Sequence, residues 1–471
     1  MPAPSKPAAI GGRPGPWRTP AHNRMWKNTL KPYDILDKEQ VQQIHAHAML
    51  ILQEIGVDFL HPKAIDTFRR AGLRIEENRV HFEPAFVEEQ IKKVPATFQV
   101  QARNPKNTVT IGGDHMVNAP VYGPPFITDL DRGRRGATIE DFTNFDKMAQ
   151  ATPQIHCAGG TIVEPEDLPL ETRHLDMVYS HIRWTDMTFM GSVISEENAR
   201  DSIEMASIVF GGRAEIEKTP ALLALVNVNS PLRYDDRMLG SLLEYAAANQ
   251  PVIATPFLMA GAMSPMGLAG TLAQQTAEAL AGIALIQLVR PGAPCIYGSF
   301  LTNIDMQSGS PAFGTPESAM GILASAQMAR HYRIPFRGGG ALTSSKSPDA
   351  QAAYESRRRL AGERAAGVLR EIHHRRGGPA NVRMDPGQGD PFRRRGVRHG
   401  WDPRGRARRS PPRLRAHDAA LPHGLLPAVD LLDRELRPLA THGLADRRPG
   451  RQREMEAAPQ GLRRPGDRFG G

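Results

Sequence analysis

The spacing of apolar positions changes twice along the chain. Between residues 37 and 56 it is helical, with Ile44, Ala48, Ile51, Leu52 and Ile55 on one stripe. Asp37 with Gln40 three residues later has the form of a capping box, and Gly56 supplies a stop. A second helix is predicted over 62–71. A period of two follows over 73–82 and 97–111, the latter interrupted by the turn-forming Asn104-Pro105-Lys106-Asn107. From about residue 150 short apolar runs alternate with capped amphipathic stretches, the signature of βα units around a parallel sheet. Strands are predicted near 155–158, 187–193, 222–228, 252–259, 295–300 and 336–342. Ser195 opens one intervening helix, Thr271 with Gln274 opens a run to Arg290, and Thr315-Pro316-Glu317 opens another with proline at the first helical position. The expected fold class is α/β: a TIM-type (β/α)8 barrel, incomplete because two βα units are missing, behind a mixed helical and β N-terminal region.

Composition sets the boundaries of this picture. Residues 1–22 form a Pro/Gly/Ala-rich leader expected to be disordered, 23–115 the N-terminal α+β region, and 116–356 the barrel body. Residues 357–471 read as a non-core, disordered tail: aromatics are confined to Phe392, Trp401 and Phe469, and the apolar residues keep no period. That stretch holds 27 Arg, no Lys and 13 acids, a net +14 that leaves the body with 32 bases and 37 acids, or −5. The basic balance of the whole chain therefore says nothing about nucleic-acid binding by the body. Three accounts fit the tail: a basic nucleic-acid arm, a disordered linker, or translation of a GC-rich gene in the wrong frame. The absence of Lys favours the third, because Lys would serve phosphate binding as a point charge. No apolar run reaches the roughly 18 to 20 residues of a bilayer span, and Cys157 and Cys295 make neither a disulfide framework nor a metal clasp. A cytoplasmic location is expected.

In a parallel barrel the reacting groups lie at the C-terminal ends of strands and in the loops that follow. Residues predicted there are Glu164, Asn227, Asn229, Tyr297, Phe300, Asn303, Asp305, Ser344, Lys346 and Asp349. Any one of them serves equally as a loop cap; their clustering at one face points to a pocket. His156 and Cys157, adjacent in a strand, point to opposite faces and read as core instead of metal ligands. Gly338-Gly339-Gly340 lacks the spacing of a phosphate loop, and Met259, Met263 and Met266 read as adaptable packing.

The segments YGSFLTNIDMQSGSPAFGTPESAM at 297–320 and IPFRGGGALTSSKSPDAQAAYES at 334–356 resemble the trimethylamine methyltransferase family. So do DILDKEQVQQIHAHAMLILQEIGVDF at 34–59 and VYGPPFITDLDRGRRGATIEDF at 121–142, and the likeness covers about 24–356. It implies a TIM-type barrel that takes a methyl group from a methylated amine and passes it to Co(I) of a cognate corrinoid protein. The chain has no Asp-x-His-x-x-Gly corrinoid signature, so the corrinoid is expected on the partner and no cofactor or metal on this chain. The sequence contains no pyrrolysine, the residue with which trimethylamine-using members form a cationic adduct. A quaternary amine such as glycine betaine is then the expected donor, since it departs as a neutral tertiary amine. Aromatic faces from Tyr297, Phe300 and Phe313 and a carboxylate from Asp305 or Glu317 are bets from position for holding it, with Asn303, Glu164 and Asn227 beside them. A homo-oligomer is implied, and neither membrane nor nucleic acid as a partner. Family members continue past Ser356 with apolar barrel sequence, whereas Arg357-Arg358-Arg359 follows here, so this form is expected to be inactive for lack of its last βα units. The alternative is a non-catalytic protein that binds methylated amines, or nucleic acid through its Arg-rich tail.

Overall fold

The Asp37 side chain accepts from Gln40 N at 2.8 Å, and Asp37 N donates to Gln40 Oε1 at 3.0 Å, which is the predicted capping box. It starts α1 (Lys38–Leu50), which continues through a π turn (Ile51–Ile55) to Gly56. Gly56 has φ 76°, and a Cβ there would lie 2.6 Å from Val80 O, so two demands select glycine. The structure, a computed structural model, describes residues 26–129, 132–345, 349–364 and 369–372. The leader at 1–22, Lys346, and the Arg-rich stretch from 373 with its wrong-frame reading lie outside them.

α2 (Pro62–Arg70) and α3 (Pro84–Lys92) both start with proline in the first turn. Val57–Phe59, before α2, and Arg74–Glu76, after it, each pair antiparallel with Arg79–His81, and beyond α3 Thr97–Val100 pairs with Val109–Gly112. This is the mixed N-terminal region, with its turn where Asn104 to Asn107 predicts it.

Strands and helices then alternate for the most part. The main ones, in chain order, are β1 (His115–Pro120), α4 (Ile139–Gln150), α5 (Arg173–Trp184), β2 (Phe189–Met190), α6 (Glu196–Phe210), α7 (Arg213–Lys218) and β3 (Leu222–Val228). Then come α8 (Asp236–Ala247), β4 (Val252–Ala260), α9 (Leu268–Val289), β5 (Cys295–Gly298), β6 (Phe300–Ile304), α10 (Pro316–His331), β7 (Phe336–Arg337), α11 (Ala350–Arg364) and β8 (Leu369–Ile372). The main ladder is parallel. Phe189 lies beside Leu222, Ala224 beside Val252, Val252 beside Cys295, and Tyr297 beside Phe336. The outer half of β4 continues beside β6, with Phe257 opposite Phe300. The segment predicted at 155–158 bridges its neighbours: His156 N and Cys157 N donate to Asn118 O, and Ala158 N to Thr188 O at 2.7 Å.

At the C-terminal end, α11 runs across Ser356 and Arg357 to Arg364. β8 then pairs with β7 at Arg337 and with β1 from Val117 to Pro120. Three arginines at 357–359 do not oppose this, since Arg is a good helix former. β1, at the junction of the two predicted regions, supplies a strand that precedes the predicted six.

The two faces of the sheet hold separate clusters, as strand alternation requires. Ala224, Val226, Ala254, Cys295, Tyr297 and Phe336 pack outward with the helices. Val117, Ala119, Cys157, Met190, Leu223, Leu225, Ile253 and Ile296 meet one another on the inner face. Met190 and Ile296 do so from strands far apart in the ladder, with a floor from Val100, Val109 and Ile111. Cys157 is thus core, as predicted, and burial pushes its thiol up to about 11.

α9 is the exception to the expectation that no segment matches a bilayer span: its 22 residues are long and apolar enough. Its window is 89% buried inside the protein, and a helix apolar all round belongs in a core. It starts after Gly267, one turn earlier than predicted; Thr271 donates to Pro265 O at 2.7 Å from within the first turn.

Two outcomes follow. Asp141, gripped by two nitrogens of Arg135 at 2.6 and 2.7 Å and by Thr138, has its carboxyl lowered to about 2 despite the opposing effect of burial. Asp141→Asn should cost about 2–3 kcal/mol in denaturant unfolding at neutral pH, because it strips one partner from a shielded ion pair. Its folded value lies below the unfolded one, so the difference should persist above about pH 4 and vanish as pH falls towards 2. A chain cut after Ser356 loses β8 and bares the edges of β1 and β7; light scattering should show it aggregating where the full chain does not.

Candidate functional site

The inner face is filled up to the level of Leu225, Ile253 and Ile296, and then opens. Asn227, next on the same side of β3, is exposed although Val226 and Val228 are buried. Alternation carries the inner face of β4 from Ile253 through Thr255 to Phe257, which is half-buried. Phe257 packs on Phe300 with ring centroids 5.1 Å apart, and Phe300 meets Phe313 at 5.3 Å, their planes tilted by 60° and 71°. All three rings are half-buried and present surface at the strand ends.

Arg337 ends β7 beside this group. Phe336 turns outward against Tyr297, so Arg337 turns inward; it is 3% exposed, and its guanidinium lies 5.8 Å from the Phe300 centroid. Arg337 and Glu164 are the charges that act on Tyr122, whose phenol bonds to Thr161 and is raised above its usual range chiefly by burial. Glu164 is paired with Arg173 at the start of α5. The opening is therefore rimmed by three phenyl rings and Asn227 and closed on another side by guanidinium, phenol and carboxylate. A small hollow of about 10 Å³, room for about one water, lies under α5, lined by Thr161, His174, His181 and Met190. His181 there is tied to Asp146 at 2.7 Å and to Gly160 O at 2.9 Å, and His174 to Asp201 at 2.8 Å. These imidazoles anchor α5.

The predicted site residues separate into two groups. Phe300 and Phe313 come together, while Asn227 is exposed near the end of β3 and Glu164 pairs with Arg173. Tyr297 does not: it is fully buried in the helix-facing layer, and its hydroxyl meets Thr276 Oγ1 at 2.9 Å and Gln275 Nε2 at 3.3 Å on α9. Burial pushes it up to about 12. Strand parity sends Tyr297 to the opposite face from Ile296, so it offers no ligand surface. Asn303 accepts from Thr315 at 2.6 Å and clasps β6 to α10. Asp305 closes its own turn, accepting from Ser308 Oγ at 2.6 Å and Gln307 N at 3.0 Å, and these donors hold its carboxyl low. Glu317 is exposed in the first turn of α10, where the helix dipole favours it. Asn229 accepts from Asp235 N, and Asp349 caps α11 through Ala352 N. The loop-cap reading thus describes Asn303, Asp305, Asn229 and Asp349.

A sequence profile described as trimethylamine methyltransferase (MTTB) matches residues 14–375. The chain belongs to the trimethylamine methyltransferase family. A glycine betaine methyltransferase of Desulfitobacterium hafniense (strain Y51) is 49% identical over 344 residues, 73% of this chain and 72% of that protein. A trimethylamine methyltransferase MttB of Desulfitobacterium hafniense (strain DSM 10664 / DCB-2) is 29% identical, covering 67% of this chain and 64% of the relative. A proline betaine:corrinoid methyltransferase of Eubacterium limosum is 28% identical, covering 67% and 66%. Among solved structures, the monomethylamine methyltransferase (MtmB) of Methanosarcina barkeri is similar with TM-score 0.46 and 12% identity, over 72% of this chain and 76% of that one. The family match extends past Ser356 and includes β8, so it agrees with the secondary structure there.

Position along the predicted strands and loops led to Phe300 and Phe313 but missed Phe257, Tyr122 and Arg337. Phe257 sits inside a predicted strand, where an apolar residue reads as core, and Arg337 was hidden in a quoted motif beside the glycines. The signal that finds Arg337 is a lone charge in an apolar strand of a parallel sheet. Because the Tyr297 hydroxyl serves only the outer layer, Tyr297→Phe should lower stability by about 1 kcal/mol in chemical unfolding and leave ligand affinity at the opening unchanged, as calorimetry would read.

Proposed function

We propose that this protein transfers a methyl group from a quaternary amine of the glycine betaine kind to the Co(I) of a cognate corrinoid protein. In this reading it is a one-carbon transferase working in the cytoplasm. We take its fold as a TIM-type (β/α)8 barrel in which β1, the 155–158 segment, β2, β3, β4, β5, β7 and β8 are the staves. The pairing of β8 with both β7 and β1 supports that reading, as does the single inner cluster. With β8 in place, the expected loss of the last βα units no longer argues for an inactive form.

The observation that carries the proposal is the group of half-buried rings, Phe257, Phe300 and Phe313, at the mouth of the strands. Rings at these angles expose both faces and edges, and the negative faces attract a quaternary ammonium by about 0.5–2 kcal/mol each when water is excluded. A quaternary ammonium has no N–H to donate, so aromatic surface is the suitable lining, and Asn227 and Tyr122 supply polar contact to the rest of the molecule. Held this way, one methyl group faces the open end of the barrel. The relatives named for glycine betaine and proline betaine support this substrate class. The corrinoid would supply the nucleophile for the displacement, and the mouth suits a macromolecular donor of it: Met266 and Met306, in loops after β4 and β6, are 64% and 75% exposed. No group of His, Cys, Asp and Glu that could hold a metal ion occurs among the described residues. This chain's own part is then to bind, orient and exclude water.

The assay is to mix the full chain with glycine betaine and a reduced corrinoid protein and follow the Co(I) absorption. Loss of the Co(I) band with formation of dimethylglycine is expected. Persistent Co(I) alongside tight binding of glycine betaine would instead favour a non-catalytic binding protein. Phe300→Ala, the central ring, should weaken glycine betaine about tenfold by calorimetry without changing the melting temperature by more than a few degrees.

A further inference from the structure

We infer that Glu355 is a positioning residue for the ring cluster: its carboxylate anchors the loop after β7, and through that loop it fixes the segment that carries Phe313. The inference rests on the quaternary-amine reading above and adds how one wall of that site is held.

Phe313 is the ring whose place needs a cause. Phe257 and Phe300 stand opposite each other on the paired strands β4 and β6. Phe313 instead lies on the segment 305–315, which leaves β6 and folds back along it, with Ala312 opposite Asn303 and Pro311 opposite Ile304. So short an antiparallel ladder is a weak hold by itself. Two further ties follow the ring directly. Thr315 Oγ1 donates to Asn303 Oδ1 at 2.6 Å, which fastens the segment to β6. Gly314 N donates to Ser344 Oγ at 3.2 Å, which fastens it to the loop after β7.

That loop is gathered on Glu355. Thr343 Oγ1 donates to Glu355 Oε2 at 2.6 Å and Ser344 N to the same oxygen at 2.9 Å, while Gln351, one turn earlier in α11, donates to Oε1 at 2.8 Å. Bonds to an ionised carboxylate are the stronger kind, so one side chain holds both residues firmly. Its contact with Gly314 is also steric. The glycine is buried, and a Cβ there would lie 2.1 Å from Glu355 Cδ. The carboxyl group thus occupies the space that any other residue at 314 would claim.

The consequence for the site follows from what a ring must do there. A quaternary ammonium is held by ring faces, and a ring that has to be ordered on binding gives back part of what it contributes. Phe313 meets Phe300 with centroids 5.3 Å apart, and Glu355 acts on that geometry through Ser344 and Gly314.

The test uses the full chain and the variants Glu355→Ala, Glu355→Gln and Ser344→Ala, read by hydrogen exchange over residues 305–315 and by calorimetry with glycine betaine. Glu355→Ala should speed exchange of that segment about tenfold and leave Leu222–Val228 unchanged. It should weaken glycine betaine about fivefold, the share of one ring. Glu355→Gln keeps an oxygen that accepts from Thr343 and Ser344, and should restore most of both. In a Phe313→Ala background Glu355→Ala should weaken glycine betaine no further, because the ring it positions is gone. If Glu355→Ala melts early, Ser344→Ala decides: it removes the acceptor of Gly314 N and leaves Glu355 in place, and faster exchange at 305–315 supports the inference. Unchanged exchange in a folded variant overturns it, and so does an effect fully additive with Phe313→Ala. An unsubstituted protein that does not bind glycine betaine, with exchange changing as expected, overturns the substrate reading and leaves the hold of Glu355 on Phe313 standing.

Discussion

The structure depends on the alternation of side chains along its parallel strands. Odd and even positions of β3, β4 and β5 face different worlds: Val226, Ala254 and Tyr297 meet helices, while Leu225, Ile253 and Ile296 meet one another. Because the period is two, whichever residues fill the inner face near the strand starts dictate which residues reach the opening at the strand ends. Asn227 and Phe257 are at the mouth because Leu225 and Ile253 are in the core. Arg337 is there because Phe336 packs outward.

Around this sheet α9 acts as a hidden frame. Its polar side chains would be costly inside a core, and Gln275, Glu278 and Gln287 are satisfied at the places that hold the strand ends in position. Gln275 bonds Ser299 and Ser325, Gln287 bonds the loop at Gly292 and Ala293, and Glu278 accepts from Ser230 Oγ at 2.6 Å and Leu232 N at 2.9 Å. Burial raises the Glu278 carboxyl, and these donors partly offset that rise. The loops after β3 and β5 are thereby tied to the helix that packs beneath them.

Loop residues around the mouth divide their labour. Asn303, Asp305, Asp349 and Asn229 spend their side chains on turns and helix starts, which is where short polar residues best replace missing backbone partners. Under the proposed function, recognition would fall to larger groups on the ordered strands and their first continuations: three phenyl rings and a phenol. Such groups lose little freedom when a ligand arrives, so a small cation would meet a prepared surface.

How much was legible beforehand follows from the range of each interaction. The capping box at Asp37, the stop at Gly56, the Thr315-Pro316 start and the strand at Leu222–Val228 depend on residues a few positions apart, and the sequence determined them by itself. The family also was readable there, because long stretches of matching residues need no coordinates. Three things were decided by tertiary structure. Tyr297 went to the helical layer and Phe257 to the mouth because strand parity counts from a core that only folding defines. β8 emerged from an Arg-rich stretch because its pairing partners, β7 and β1, lie more than 30 residues and about 250 residues away in the chain. Such pairing is rewarded by backbone hydrogen bonds that any residue but proline can make, and local composition carries little trace of it.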